Sequence, residues 1–423
     1  MSSMHAVHKM LADHAHPRPL SVRPGDFLEI EPDLFAFTMA GDAQEVNTLE
    51  ADLTELGVSS LPLKNRIFPV LTHASPAPNS SIAAGQKRWR EFFRSHDIPM
   101  QDGGAGIHHL LVAEQGLVGP GSVLALRCSH TPTNGALGAF AASIAGSRLS
   151  LLAVGRCIVD VPKIMLIKID GALRKGVYAR DVALHINGRV GQRGAIGCAV
   201  EFAGSFVRGL QMDMRFTLCN MTTEIGAMTS YMQPDEVTWN YVRKQGSEKF
   251  KAYETDEGYE YDAVHEFDVS DLEPQIAVPH APDNVKPVSA VEGLRIDQAY
   301  LGSCASGRLE DIAAAASVLK GRKVHPDTRL IVTPGSREVI KAATRLGYMD
   351  ILNDANAIVT NAGCGACPGQ SGGILAPGEV AIASIPRNFE GRMGANAQIY
   401  LGSPATVAAS AIEGRIASPA RYL

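Results

Sequence analysis

Short apolar runs alternate along this chain with longer stretches in which apolar positions recur every three or four residues. GSVLALRC (121–128) and TRLIVTP (328–334) are of the first kind; LEDIAAAASVLKG (309–321) and REVIKAATRLG (337–347) are of the second. Continuous apolar runs of that length predict buried strands, and the 3.6-residue repeat predicts helices that cover them. Strands separated by helices cannot pair as hairpins, so the pattern predicts parallel sheets with crossover helices, an α/β fold.

The alternation breaks twice. Between Lys249 and Val288 the chain turns acidic and aromatic (YETDEGYEYDAVHEF), then rich in Pro and His (AVPHAPDNVKP), which places a boundary near its end. A second falls between Val161 and Leu173, where an apolar run leads into KIDGALRKGVYARDVALHING. We therefore expect units at residues 1–162, 163–287 and 288–423. A chain of 423 residues that is 45% hydrophobic can bury several cores, and 6% aromatic content with abundant Gly and Ala suits closely packed α/β layers. No internal repeat is visible.

A net charge of -5 with mixed signs offers no basic face for a nucleic acid. The opening MSSMHAVHKMLADHAHPRPLS lacks the apolar centre of a secretion signal, and no apolar run approaches about twenty residues, so no membrane span is expected and the location expected is the cytoplasm. Seven cysteines, an odd number, do not make a disulfide framework. Cys157, Cys198 and Cys219 lie in apolar or turn contexts and read as core residues.

Three other cysteines carry chemistry: Cys304 in GSCASGR, and Cys364 with Cys367 in NAGCGACPGQSGG. Cys-x-x-Cys alone fits a zinc site or a redox pair equally well. A redox pair has no need of Cys304, however, and zinc would want a fourth ligand close by; neither explains glycines around all three. Three thiolates on glycine-rich turns match a cubane iron-sulfur cluster that keeps one iron open.

These segments, with YLGSCASGRLEDIAAAASVLKGRKV and the following ILAPGEVAIASIPRNFEGRMG, resemble the cluster domain of the aconitase superfamily, most closely the 3-isopropylmalate dehydratase large subunit. GAGIHHLLVAEQGLVGPG, CSHTPTNGALGAFAASIAG, GRVGQRGAIGCAVEFAGS and NMTTEIGAMTSYMQPDE follow in the family's order, and VRPGDFLEIEPDL resembles its opening strand. The resemblance implies three α/β layers packed around a 4Fe-4S cluster held by Cys304, Cys364 and Cys367. It implies a hydro-lyase acting on a small hydroxy di- or tricarboxylic acid. His73, His109, His130 and Glu224 match catalytic positions, while Ser129, Asn220, Arg387 and Arg392 match substrate-binding ones; His108 stays in a structural role. The family's swivelling fourth domain, which supplies a serine base and further arginines, is absent before Leu423, so a separate small subunit is implied as partner.

The chain departs from the pattern where carboxylates should orient histidines. Thr72 precedes His73 where the family has Asp, and Arg127-Cys128-Ser129-His130 stands for Gly-Asp-Ser-His. Pro132-Thr133-Asn134-Gly135 replaces Ser-Thr-His-Gly, and Pro386 replaces an Asn before Arg387. A carboxylate beside an imidazole fixes its tautomer and stabilises its protonated form, so these changes bear on proton transfer. Cys128 reads as a small residue filling the vacated space, with a thiol acid or a fourth iron ligand as sharper alternatives. Isomerisation or dehydration of another unsaturated carboxylate, and a non-catalytic cluster carrier, are the competing functions.

Overall fold

A computed structural model describes residues 3–247 and 249–423. Three sheets organise them. The first has four parallel strands in the order Ile67–Leu71, Leu34–Met39, Val123–Leu126, Phe140–Ser143. The second, also parallel, runs Ala263–Asp268, Lys163–Asp170, Cys198–Ala203, Thr229–Met232. The third has seven strands; five are parallel, and Gln275–Ala277 and Val285–Pro287 add an antiparallel edge. A two-stranded antiparallel ribbon joins Phe27–Ile30 to Cys157–Asp160.

The expected strands appear as Val123–Leu126 and Arg329–Thr333, and the expected helices as Leu309–Leu319 and Arg337–Arg345. The second helix starts at Ser336, whose hydroxyl accepts from the Val339 amide at 3.1 Å. The third sheet begins earlier than residue 288. The strands at 275–277 and 285–287 pair with each other and the first of them pairs with Gln398–Leu401, so both belong to the last sheet rather than the second.

Successive side chains of each strand point to opposite faces, and this divides them between cores. Phe35, Phe37 and Met39 pack outward with Trp89, Phe92 and Phe93 from the helix Ser80–Ser95. Their neighbours Leu34 and Ala36 face a central core. In the third sheet Ala299, Leu301, Leu330 and Val332 face the helices Leu309–Leu319 and Pro404–Glu413, whereas Tyr300 and Ile331 face the centre. Met165, Ile167, Ile169, Val200 and Phe202 of the second sheet complete that centre. One hydrophobic core is therefore shared by all three sheets, and each large side chain fully buried there contributes about 1.5–3 kcal/mol. Cys157, Cys198 and Cys219 lie within these cores as free thiols. Among the described residues, no helix is long and apolar enough to cross a membrane.

Candidate active site

The residues with chemical potential lie just past the carboxyl ends of parallel strands, where open α/β sheets collect ligands. Strand Gln298–Gly302 delivers Cys304 into the one-turn helix Ser303–Ser306. Gly302 has φ +137°, and a Cβ there would stand 2.1 Å from the Thr333 carbonyl, so only glycine allows the two strands to end so close. Strand Ile358–Val359 leads to the loop bearing Cys364 and Cys367. Tyr300 anchors this loop: its hydroxyl donates to the Cys364 carbonyl (3.4 Å) and accepts from the Ala366 amide (3.2 Å). Between them Gly365, at φ +54°, passes where a Cβ would lie 2.1 Å from that hydroxyl.

Cys304 and Cys364 pack together with Ile107 and Leu110, and Cys367 receives a hydrogen bond from Arg392 Nη2 at 3.3 Å. Cys304 Sγ lies 4.0 Å from Asn220 Oδ1. All three thiols are buried and free. Burial pushes the Cys304 thiol up to about 12, and the neighbouring Cys367 and Cys128 add to this. The same burial, with Cys304 and Cys367 beside it, raises Cys364 well above the ordinary thiol value. Crowded buried thiols resist ionisation unless a cation replaces their protons. Three such sulfurs, a glycine-lined loop and an arginine donor on one sulfur therefore fit an iron-sulfur cluster.

Strand Val123–Leu126 delivers Cys128, Ser129 and His130, and the short 3-10 turn Thr222–Ile225 delivers Glu224. His130 Nε2 lies 2.9 Å from Glu224 Oε1, and Arg387 Nε donates to both carboxylate oxygens at 2.9 and 3.1 Å. Burial opposes ionisation of Glu224, but the bonds and charges of His130 and Arg387 outweigh it and hold the carboxyl below its usual range. Burial also lowers His130; Glu224 opposes that, while Arg387 and Arg392 reinforce it. The pair is consistent as a neutral imidazole donating Nε2–H to a carboxylate, which leaves Nδ1 facing Ser129 Oγ at 3.3 Å.

His73, past strand Ile67–Leu71, has the Thr72 hydroxyl at 3.0 Å from Nδ1 where a carboxylate was expected from the family pattern, and Thr72 bonds onward to Thr38 at 2.8 Å. Burial, then the Arg392 and Arg127 charges, lower His73 to about 4. His108 and His109 open the helix His108–Glu114, wholly buried and packed edge to face at 4.9 Å. Burial holds both well below the usual imidazole value, and none of their ring nitrogens has a hydrogen-bond partner among the described residues. His109 also borders a cavity of about 360 Å³ lined by Glu114, Asp213, Tyr241 and Arg308.

The structure thus joins His130, Glu224 and Arg387 in one chain of contacts, links Arg392 to Cys367, and sets Asn220 near Cys304. Sequence reasoning passed over two buried arginines. Arg308 Nη1 donates to the Cys304 carbonyl at 3.0 Å, and Arg180 Nη2 donates to the Ile385 carbonyl at 2.6 Å, at the root of the loop carrying Arg387. Arg308 stands in the GSCASGR phrase itself, which was the available signal. Arg180, in a helix that reads as amphipathic, gave none.

Parallel layers converge on buried thiols, a histidine–carboxylate–arginine chain and further cations, an arrangement suited to acid–base chemistry on an anionic substrate beside a loop that fits a metal cluster. The aconitase family (aconitate hydratase) matches residues 79–293 and 284–414, and this chain belongs to that family, whose members bind iron-sulfur clusters. Within it the chain is 43% identical to a probable methanogen homoaconitase large subunit of Methanothermobacter thermautotrophicus, over 99% of this chain and 98% of that protein. It is 43% identical to a 3-isopropylmalate dehydratase large subunit of Methanopyrus kandleri (88% and 90% covered) and 42% identical to one of Geobacter sulfurreducens (88% and 90%). A crystal structure of Thermococcus kodakaraensis aconitase X in its holo-form covers 91% of this chain and 90% of its own at 14% identity and TM-score 0.48, a likeness too remote to bear on the site.

Proposed function

We propose that this chain is the large subunit of a hydro-lyase of the isopropylmalate dehydratase and homoaconitase type, removing water from, or adding it to, a small hydroxylated di- or tricarboxylic acid. Cys304, Cys364 and Cys367 would hold a 4Fe-4S cluster. When bound, that group supplies a Lewis acid for the substrate hydroxyl. The observation that carries the reading is the His130–Glu224–Arg387 chain beside the buried thiols, the two linked by Arg392, which binds Cys367 and whose charge acts on His130.

The polar groups divide the work. Arg392 keeps one nitrogen on Cys367 while its buried Nε has no partner, so a donor is left for a substrate carboxylate. Arg387 spends Nε on Glu224 and offers the rest of its fork. His130 exchanges a proton at Nδ1, beside the Ser129 hydroxyl, while the ionised Glu224 steadies the imidazolium through Nε2. His73, held neutral without a carboxylate, orients by hydrogen bonding rather than donating a proton at neutral pH. Asn220 donates to Thr133 at 2.9 Å, which fixes its oxygen toward Cys304. The base for the carbon-bound proton falls to a separate small subunit; the relatives' own names, as large subunits, support such a partner. Seven unpaired thiols suit a reducing cytoplasm.

The protein reconstituted anaerobically with its small subunit should hydrate an unsaturated diacid, and Cys364→Ser should abolish turnover. Unchanged turnover in that variant would overturn the scheme.

A further inference from the structure

His108, His109 and Cys128 each offer one nitrogen or sulfur atom, and these atoms all lie within 4.8 Å of one another. Both imidazoles are 1% exposed, and none of their four ring nitrogens is hydrogen-bonded to any described residue. A buried imidazole normally has at least one partner, so two adjacent ones with none mark a place where something else is received. Cys128 is not tied to either ring. Its sulfur accepts only a long hydrogen bond from the His130 amide, at 3.4 Å, which holds it in place without satisfying the imidazoles.

The three donors come from separate stretches of chain. The N-terminal turn of helix His108–Glu114 presents the two rings at 4.9 Å between centroids, and the loop after strand Val123–Leu126 brings the thiol to them. Two imidazoles and a thiol are a soft, neutral donor set. It is poor at holding a carboxylate, which wants N–H donors bearing positive charge, and well suited to a zinc-type cation. Three protein ligands leave such an ion one open position.

We infer that His108, His109 and Cys128 form a binding site for a zinc-type divalent cation, beside the three-thiol loop but with its own donors. Cys128 neighbours Cys304 and Cys364, and neither of those two is among the three donors. Occupation would engage His109 and so silence any proton work it does, making zinc an inhibitor of turnover. The site itself does not depend on the cluster assignment.

The test is zinc titration of the full-length protein after anaerobic reconstitution, with zinc, iron and sulfide counted separately and the zinc K-edge recorded. The expected result is one zinc per chain with a single sulfur at about 2.3 Å and nitrogen neighbours at about 2.0–2.1 Å. Cys128→Ser and Cys128→Ala, each checked for unchanged melting temperature, should lose the sulfur shell while iron and sulfide stay. His108→Gln should weaken binding with the sulfur retained. No zinc uptake, a shell of two or more sulfurs, or a sulfur shell that survives both Cys128 variants would overturn the inference. Zinc bound as expected in protein without iron or sulfide would leave this site standing and remove the cluster reading instead.

Discussion

Glu224 is the residue on which the two halves of the proposed chemistry meet, since it binds the imidazole of His130 and the guanidinium of Arg387 with the same carboxylate. Glu224→Gln should therefore lower kcat by about 10²–10⁴, the usual worth of a positioned acid–base group, with a smaller change in KM, in steady-state assays. Its carboxyl is held below the ordinary value of 4.5, so its ion pairing stabilises the fold above that pH and is lost as pH falls through the depressed value. The difference in melting temperature between wild type and variant should accordingly shrink as the pH is taken below 4.5. Single residues were unevenly legible. The cysteines and His130 were readable because their neighbours are glycines and small polar residues in fixed phrases. Arg180 was not, because a charged residue on a helix reads as solvent-facing and only tertiary packing buries it; Arg308 was signalled only by its place in the GSCASGR phrase, just before helix Leu309–Leu319.

Among the elements, the loop between Cys364 and Cys367 depends on one conformation. Gly365→Ala adds a methyl 2.1 Å from the Tyr300 hydroxyl at a positive φ, so it should displace the turn, and iron content after reconstitution should fall sharply while the circular dichroism of the helices persists. The helix Glu236–Lys244 is held differently: Asp235 caps it and pairs with the wholly buried Arg215 through bonds of 2.8 and 2.6 Å. Asp235→Asn should cost about 1.5–3 kcal/mol in chemical denaturation, because it leaves a buried guanidinium with weaker partners. Strands and helices with a strong local period were visible in the sequence. The three-residue strands at 275–277 and 285–287 were not, since a Pro- and His-rich stretch shows no period and becomes strand only by pairing with residues more distant in the chain.

At the scale of the molecule, the shared core ties the three sheets into one cooperative body. Ile167→Ala, at a fully buried position of the second sheet, should cost about 2–5 kcal/mol, and calorimetry should show one transition that moves as a whole rather than one of three. Three independent transitions would show that the central packing does not couple the sheets. The parallel α/β plan was legible from alternation alone, but the convergence of the sheets was not, because period 2 says which residues face inward and not what they meet. The order of the last sheet carries a final consequence. Gln275–Ala277 reaches the rest of its sheet through Gln398–Leu401, the final strand to be made among the described residues. During synthesis that early hairpin must wait, unpaired on one side, until the ribosome has almost finished, so the frame of the third sheet closes only when translation is nearly complete.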